Sequence, residues 1–270
     1  MAHLNRWVTS LAALPLLGLL IILGGRDIFA IFIAVVAVIS LWEYFRIINQ
    51  IIPHPIPMRI SVWGYFAGLV IVLCAHFLSF QFMILSLSST VLIAGVLSLR
   101  QFSSLGQVPR IIGMHTLGVV YIPLALAYLV LIRNSTDGIY WVVLIVGIVF
   151  GGDVGAFYVG TYFGRRKLCP NVSPGKTIEG ALGGLATSLL VGGAGKWLLL
   201  PDLSWAKILV FSIVLGVTGQ VGDLFESMLK RTAGVKDSSA LLPGHGGVLD
   251  RIDALLFAVP MAYFLLIVFS

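Results

Sequence analysis

The stretch Ser227-Met-Leu-Lys-Arg-Thr-Ala-Gly-Val-Lys-Asp-Ser-Ser-Ala-Leu-Leu-Pro-Gly-His-Gly-Gly-Val-Leu-Asp-Arg-Ile-Asp253 stands between two apolar runs, 205–228 and 249–269. Each run is close to the roughly 20 apolar residues that cover the hydrocarbon thickness of a bilayer. Reading them as transmembrane helices makes the stretch a polar connection at a membrane face. It carries Lys230, Arg231, Lys236, Asp237, His245, Asp250, Arg251 and Asp253, in a chain that is only 10% charged. A turn between two helices needs no such density. Ionisable groups at a membrane boundary, beside glycines that let backbone approach a ligand, point to chemistry done there.

The apolar pattern recurs along the whole chain. Its 270 residues are 59% hydrophobic and its mean hydropathy is +1.05, whereas soluble domains are about 45–50% apolar. Windows of about 20 apolar residues fall near 7–24, 28–47, 60–79, 81–99, 111–132, 139–162, 178–199, 205–228 and 249–269. The runs are continuous and do not alternate, which indicates helices and excludes barrel strands. The expected fold is therefore all-α, a polytopic integral membrane protein of about nine transmembrane helices. The first run passes into the second through Gly24-Gly25-Arg26-Asp27, so a retained helix is expected and not a cleaved signal. N-terminal helices are expected over 1–57, ending in the stiff turn Pro53-His-Pro-Ile-Pro57. Middle helices follow over 58–138, and a C-terminal catalytic membrane region over 139–270.

Basic residues set the orientation. Of the 17 lysines and arginines, all but Arg26, Arg133, Lys196 and Lys207 fall on one side of an odd-numbered arrangement. That side is cytoplasmic by the positive-inside rule, with the N-terminus on it and the C-terminus opposite. The net charge of +6 is then mainly a topology signal, with attraction of anionic lipid or substrate second. Nucleic acid is excluded as a partner.

With this topology the acids sort by depth. Asp223 and Glu226 fall in the last turns of the span at 205–228. Asp250 and Asp253 fall in the first turns of the next, at i, i+3 and so on one helix face. Asp223, Asp250 and Asp253 can meet just inside the cytoplasmic boundary, where uncompensated charges are costly. Oxygen ligands without His or Cys suit Mg²⁺; salt bridges to Lys230, Arg231 and Arg251 are the competing explanation. Pro243-Gly-His-Gly-Gly247 can present backbone amides to an anion ahead of a helix N-terminus. A second polar loop, Gly164 to Gly180, ends in Ser173-Pro-Gly-Lys-Thr177, a phosphate-seeking helix start. It is not a P-loop, because Pro170 stands where the first glycine is required.

Other polar residues divide between structure and function. Asp153, in Gly151-Gly-Asp-Val-Gly155, is either a satisfied packing residue or part of the polar site. Glu43 and Arg46 are expected to pair or snorkel, and Lys196 to snorkel outward. His54, His76 and His115 stand singly, and Cys74 and Cys169 form neither a disulfide framework nor a thiolate metal site. Glycines 151, 152, 155, 183, 184, 216, 219 and 222 mark close helix contacts.

The pattern Ser227-x₂-Lys230-Arg231-x₄-Lys236-Asp237-x₅-Pro243-x-His245-Gly246-Gly247-x₂-Asp250-Arg251-x-Asp253 resembles the signature of the phosphatidate cytidylyltransferases, the CDP-diacylglycerol synthases, at every fixed position. Asp153-Val-Gly-Ala-Phe-Tyr158 and Ser173-Pro-Gly-Lys-Thr-Ile-Glu-Gly180 resemble further blocks of that family, so the likeness covers roughly 140–265. It implies transfer of CMP from CTP to phosphatidate, releasing pyrophosphate. It implies Mg²⁺, with a second cation beside it, held by Asp223, Asp250 and Asp253. Those aspartates and Lys176 are the expected catalytic groups. Ser173, Thr177, Lys230, Arg231, Lys236, His245 and Arg251 are expected to bind substrate. The expected partners are CTP, phosphatidate and membrane lipids, with a homodimer as a candidate assembly; the expected location is the inner membrane.

Two other classes fit less well. A transporter would need a polar path toward the C-terminal side, and the polar residues collect at one face. A CDP-alcohol phosphotransferase would need glycine after its second aspartate, and Ala254 follows Asp253.

Overall fold

Long apolar runs in lipid must satisfy every backbone N–H and C=O internally, and helices do so. The computed structural model describes residues 18–99, 108–242, 244 and 246–269. Its helices are α1 (Gly25–Ile51), α2 (Met58–Phe77), α3 (Phe80–Leu99), α4 (Val108–Val119), α5 (Ala125–Asn134), α6 (Gly138–Phe163), α7 (Ile178–Leu199), α8 (Trp205–Thr232) and α9 (Leu249–Phe269). A π-helical turn, Val120–Leu124, joins α4 to α5 in one continuous span. Among the described residues, eight helices are long and apolar enough to cross a membrane. Most of the first expected span, 7–24, lies outside the described residues. The protein is an all-α, multi-pass membrane protein, and each described helix begins and ends within a few residues of the sequence expectation.

Two departures have local causes. Pro123 lies inside the π-turn; it has no N–H to give to the preceding turn, so the hydrogen-bond register widens there. The second polar loop forms a short antiparallel hairpin, β1 (Lys167–Cys169) with β2 (Ser173–Thr177), pairing Lys167 with Thr177 and Cys169 with Ser173.

The chain divides into two compact units. One runs to Asn134 and takes in Thr232–Arg251, so the polar loop ahead of α9 belongs with the early helices. Its core lies along α1, where Ala37, Leu41, Tyr44 and Ile48 are fully buried. The Tyr44 hydroxyl donates to the Met114 carbonyl at 3.0 Å, and Phe45 stacks on the buried His115 with ring centroids 5.8 Å apart. At another end of this unit His76 Nε2 lies 2.8 Å from Asp27 Oδ1.

The other unit is Ser135–Arg231 with Ile252–Ser270. Small residues bring its helices together. A side chain on Gly152 would strike Ser188 Oγ, and one on Gly184 would strike the Gly152 carbonyl. Between α7 and α8, a methyl on Gly216 would lie 3.1 Å from Ser188, and Gln220 Nε2 donates to the Ala181 carbonyl at 3.0 Å. Between α8 and α9, a methyl on Gly222 would lie 2.5 Å from the Asp253 carbonyl. Lipid gives apolar side chains no reason to prefer one another, so such backbone approach is what associates the helices.

Candidate active site

The hairpin and α7 set one wall of the polar region in the second unit. Thr177 is the N-cap of α7, its hydroxyl accepting the Gly180 amide at 3.1 Å; that satisfies one of the amides a helix start leaves open. Two residues on, the Glu179 carboxylate accepts the Arg165 amide at 3.0 Å and the Arg166 amide at 3.1 Å. The backbone leaving α6 is thereby tied to the first turn of α7, and Lys176 is carried on β2 between them. Arg231 reaches back to the same hairpin, with Nε donating to the Val172 carbonyl at 3.3 Å.

Lys176 Nζ meets Asp223 Oδ2 of α8 at 2.6 Å, with both side chains about a quarter to a third exposed. Asp153 of α6 lies within electrostatic reach of Asp223 and Lys176. Asp253 of α9 lies within reach of Asp223, Asp153 and Lys230, and its Oδ1 accepts the Ala254 amide at 2.8 Å. Three carboxylates from three helices thus lie within electrostatic reach of one another, with Lys176 and Lys230 also in range. Asp153 is not covered by protein at its position along α6. An acid at that depth needs a counter-charge or a polar cavity, and Lys176 lies within electrostatic reach of it. One turn from Asp223, the fully buried Glu226 forms an ion pair with Lys230.

Asp250 has different surroundings. Its Oδ2 accepts the Ser238 amide at 2.9 Å, the Ser238 hydroxyl at 2.9 Å and the Gly247 amide at 2.7 Å. Gly246 adopts φ +79°, and a side chain there would lie 2.6 Å from Asp250 Oδ2. Glycine is required on both counts.

Glu43 corrects the sequence reading. It neither snorkels nor pairs with Arg46, whose guanidinium lies over the Trp42 ring. Its carboxylate is fully buried and reaches the loop ahead of α9. Oε1 accepts the Val248 amide at 3.0 Å and the Ser239 hydroxyl at 2.5 Å. Oε2 accepts the Leu249 amide at 2.6 Å and shares the Ser238 hydroxyl at 3.2 Å. Of the expected cradle the Gly247 amide is taken by Asp250, and the Val248 and Leu249 amides that follow it are taken by Glu43, two carboxylates of the chain itself. The one sequence signal for Glu43 is an acid inside an apolar span; its partners lie some 200 residues away and leave no local trace.

The remaining expected residues fall as follows. Ser173 pairs with Cys169 in the hairpin, and Lys236 and Arg251 are exposed on the first unit's loop. His245 lies outside the described residues. Lys196 donates to the Pro201 carbonyl at 2.7 Å and lies over the Trp205 ring, as a snorkelling lysine does.

Among the described residues no three His, Cys, Asp or Glu side chains converge closely enough to make a ready-built metal cage. The arrangement Mg²⁺ commonly uses needs fewer, one or two carboxylates completed by water and substrate phosphates. Asp223 and Asp253 are hard oxygen donors that fit that arrangement, although Lys176 Nζ, 2.6 Å from Asp223 Oδ2, occupies one of those oxygens in this structure.

Comparison with known proteins gives a consistent result. A phosphatidate cytidylyltransferase of Bacillus subtilis (strain 168) is 41% identical over 160 residues, 59% of this chain; the matched part spans 60% of that relative's length. Phosphatidate cytidylyltransferases of Staphylococcus haemolyticus (strain JCSC1435) and Staphylococcus aureus (strain COL) are 33% and 32% identical, each over 97% of this chain and 98% of the relative. Residues 4–269 match the cytidylyltransferase family, and the chain belongs to that family.

Proposed function

We propose that this chain is a phosphatidate cytidylyltransferase, joining CMP from CTP to the phosphate of phosphatidate. An oxygen of the lipid phosphate attacks the α-phosphorus of CTP, the bond from that phosphorus to the bridging oxygen breaks, and pyrophosphate leaves with the bond's electron pair. CDP-diacylglycerol remains in the membrane. The observation that carries the reading is the electrostatic proximity of Asp153 and Asp253 to the Lys176–Asp223 ion pair within a membrane helix array. Two anionic substrates need positive charge between them, and an array of acids alone would repel both.

Asp223 and Asp253 are proposed to hold Mg²⁺, which supplies charge neutralisation for the triphosphate. Asp153, within electrostatic reach of Asp223, is proposed to favour a second cation beside it. Lys176 exchanges its Asp223 partner for a substrate phosphate, which orients the nucleotide and offsets charge developing on the departing pyrophosphate. Lys230, Arg231, Lys236, His245 and Arg251 are assigned to phosphate contacts, Ser173 and Thr177 to the same loop end. Asp250 acts through the loop it holds. The enzyme is proposed to sit in the inner membrane, with its N-terminus and polar loops cytoplasmic and its C-terminus opposite.

The test is pyrophosphate release by purified protein in detergent or nanodiscs, with Mg²⁺, across CTP, UTP and ATP and a panel of lipid phosphates. CTP with phosphatidate should give the highest turnover and a lipid product carrying cytidine. Preference for another nucleotide, or for a prenyl phosphate, would replace this reading with that substrate pair.

A further inference from the structure

We propose that Glu43 is a positioning residue for the reaction: its buried carboxylate fixes the shape of the loop that carries Lys236 and sets the start of α9, whose first turn carries Asp250 and Arg251. The proposal rests on the functional reading above. A helix start leaves its first amides without partners, and its dipole favours negative charge. Here the charge comes from another helix. Each Glu43 oxygen takes one backbone amide and one serine hydroxyl, at Val248 with Ser239 and at Leu249 with Ser238. Asp250 closes the same loop from the other side through Ser238 and Gly247. Ser238 is thus shared by the two carboxylates, and a side chain on Gly247 would collide with Ser238 Oγ and Glu43 Oε1.

This arrangement demands an acceptor-only group. Glutamine is nearly isosteric, but its NH₂ must face a backbone amide that cannot turn away. Serine hydroxyls can rotate to suit; Val248 and Leu249 amides cannot. Aspartate keeps both acceptors on a shorter stem, and so should recover part of what glutamine loses. A residue that only filled space would show the reverse order.

Hydrogen exchange read by mass spectrometry, with steady-state kinetics, separates the possibilities in full-length protein. In Glu43→Gln, peptides across 238–249 should exchange about tenfold faster or more, while peptides of α6 stay as in the wild type. The kcat for CTP-dependent pyrophosphate release should fall by roughly a hundredfold, the scale for a small misplacement of reacting groups, with KM for CTP changing far less. Glu43→Asp should lie between. The double variant Ser238→Ala/Ser239→Ala keeps the carboxylate and both amide bonds, and should loosen the same peptides to a smaller degree even if Glu43→Gln cannot be purified folded. Wild-type exchange across 238–249 in these variants overturns the latch. Faster exchange with wild-type kcat overturns the positioning role. A wild-type protein inactive on CTP and phosphatidate would instead refute the functional reading, while the exchange data would still decide the latch.

Discussion

Lys176 Nζ and Asp223 Oδ2 lie 2.6 Å apart, joining a β-strand residue to the eighth helix across the polar region. A pair this exposed adds little to stability, about 0–1 kcal/mol. A functional role therefore separates cleanly from a structural one. Asp223→Asn should leave the melting temperature nearly unchanged and reduce Mg²⁺-dependent turnover by roughly a thousandfold. Lys176→Ala should raise the KM for CTP by about tenfold or more, the effect of losing one charged hydrogen bond. A large loss of stability with modest kinetic change would make the pair structural.

Asp153 and Asp253 are predicted to differ in degree. Asp253→Asn should raise the Mg²⁺ concentration for half-maximal rate about tenfold or more. Asp153→Asn should raise it less if it serves a second cation. Rate against Mg²⁺ concentration for both variants checks this. An Asp153→Asn enzyme with the wild-type curve removes that residue from the cluster.

The Glu226–Lys230 ion pair should show the opposite balance to Lys176–Asp223. Glu226 is fully buried, so Glu226→Gln breaks a buried ion pair and should cost about 3–5 kcal/mol. Replacing both with Glu226→Leu and Lys230→Met should recover most of that stability. Thermal unfolding in detergent measures the effect, and recovery of stability without turnover would assign Lys230 to substrate as well.

Gly222→Ala and Gly175→Ala make a contrasting pair. The first places a methyl 2.5 Å from the Asp253 carbonyl, which as backbone cannot move aside cheaply, while the second meets nothing within 4 Å. Gly222→Ala should destabilise by about 1–3 kcal/mol and disturb Asp253. Gly175→Ala should stay within about 0.5 kcal/mol of wild type. Equal unfolding temperatures would contradict the packing of α8 on α9.

Orientation has its own test. Single cysteines at Gly175 and Lys236, in a background lacking Cys74 and Cys169, should both react with an impermeant thiol reagent from the cytoplasmic side of inverted membranes. Reaction of the two from opposite sides would dismantle the proposed topology and the shared site.

The membrane helices were legible because their signal is local and additive. A run such as 139–162 is apolar throughout, and α6 occupies Gly138–Phe163. Asp223 and Asp253 were also visible, as acids at matching depths in neighbouring spans. For Asp250 the i, i+3 spacing gives its place beside Asp253 in the first turn of α9, but not the bonds of its Oδ2 to Ser238 and Gly247. The hairpin at 167–177 was hidden because its order comes from Glu179 tying down the Arg165 and Arg166 amides, a bond made only once the chain has turned. The π-turn was foreseeable from Pro123, but a proline inside an apolar run can kink, widen or end a helix.

The 206-residue separation between Glu43 and Leu249 has a consequence in time. During synthesis α1 is made long before the loop exists, so its carboxylate first enters the assembling protein without the partners that later enclose it. Water or lipid head groups must solvate it until translation is almost complete. A chain that stops short of Leu249, or mis-threads its last helix, keeps an exposed acid where a finished molecule has none.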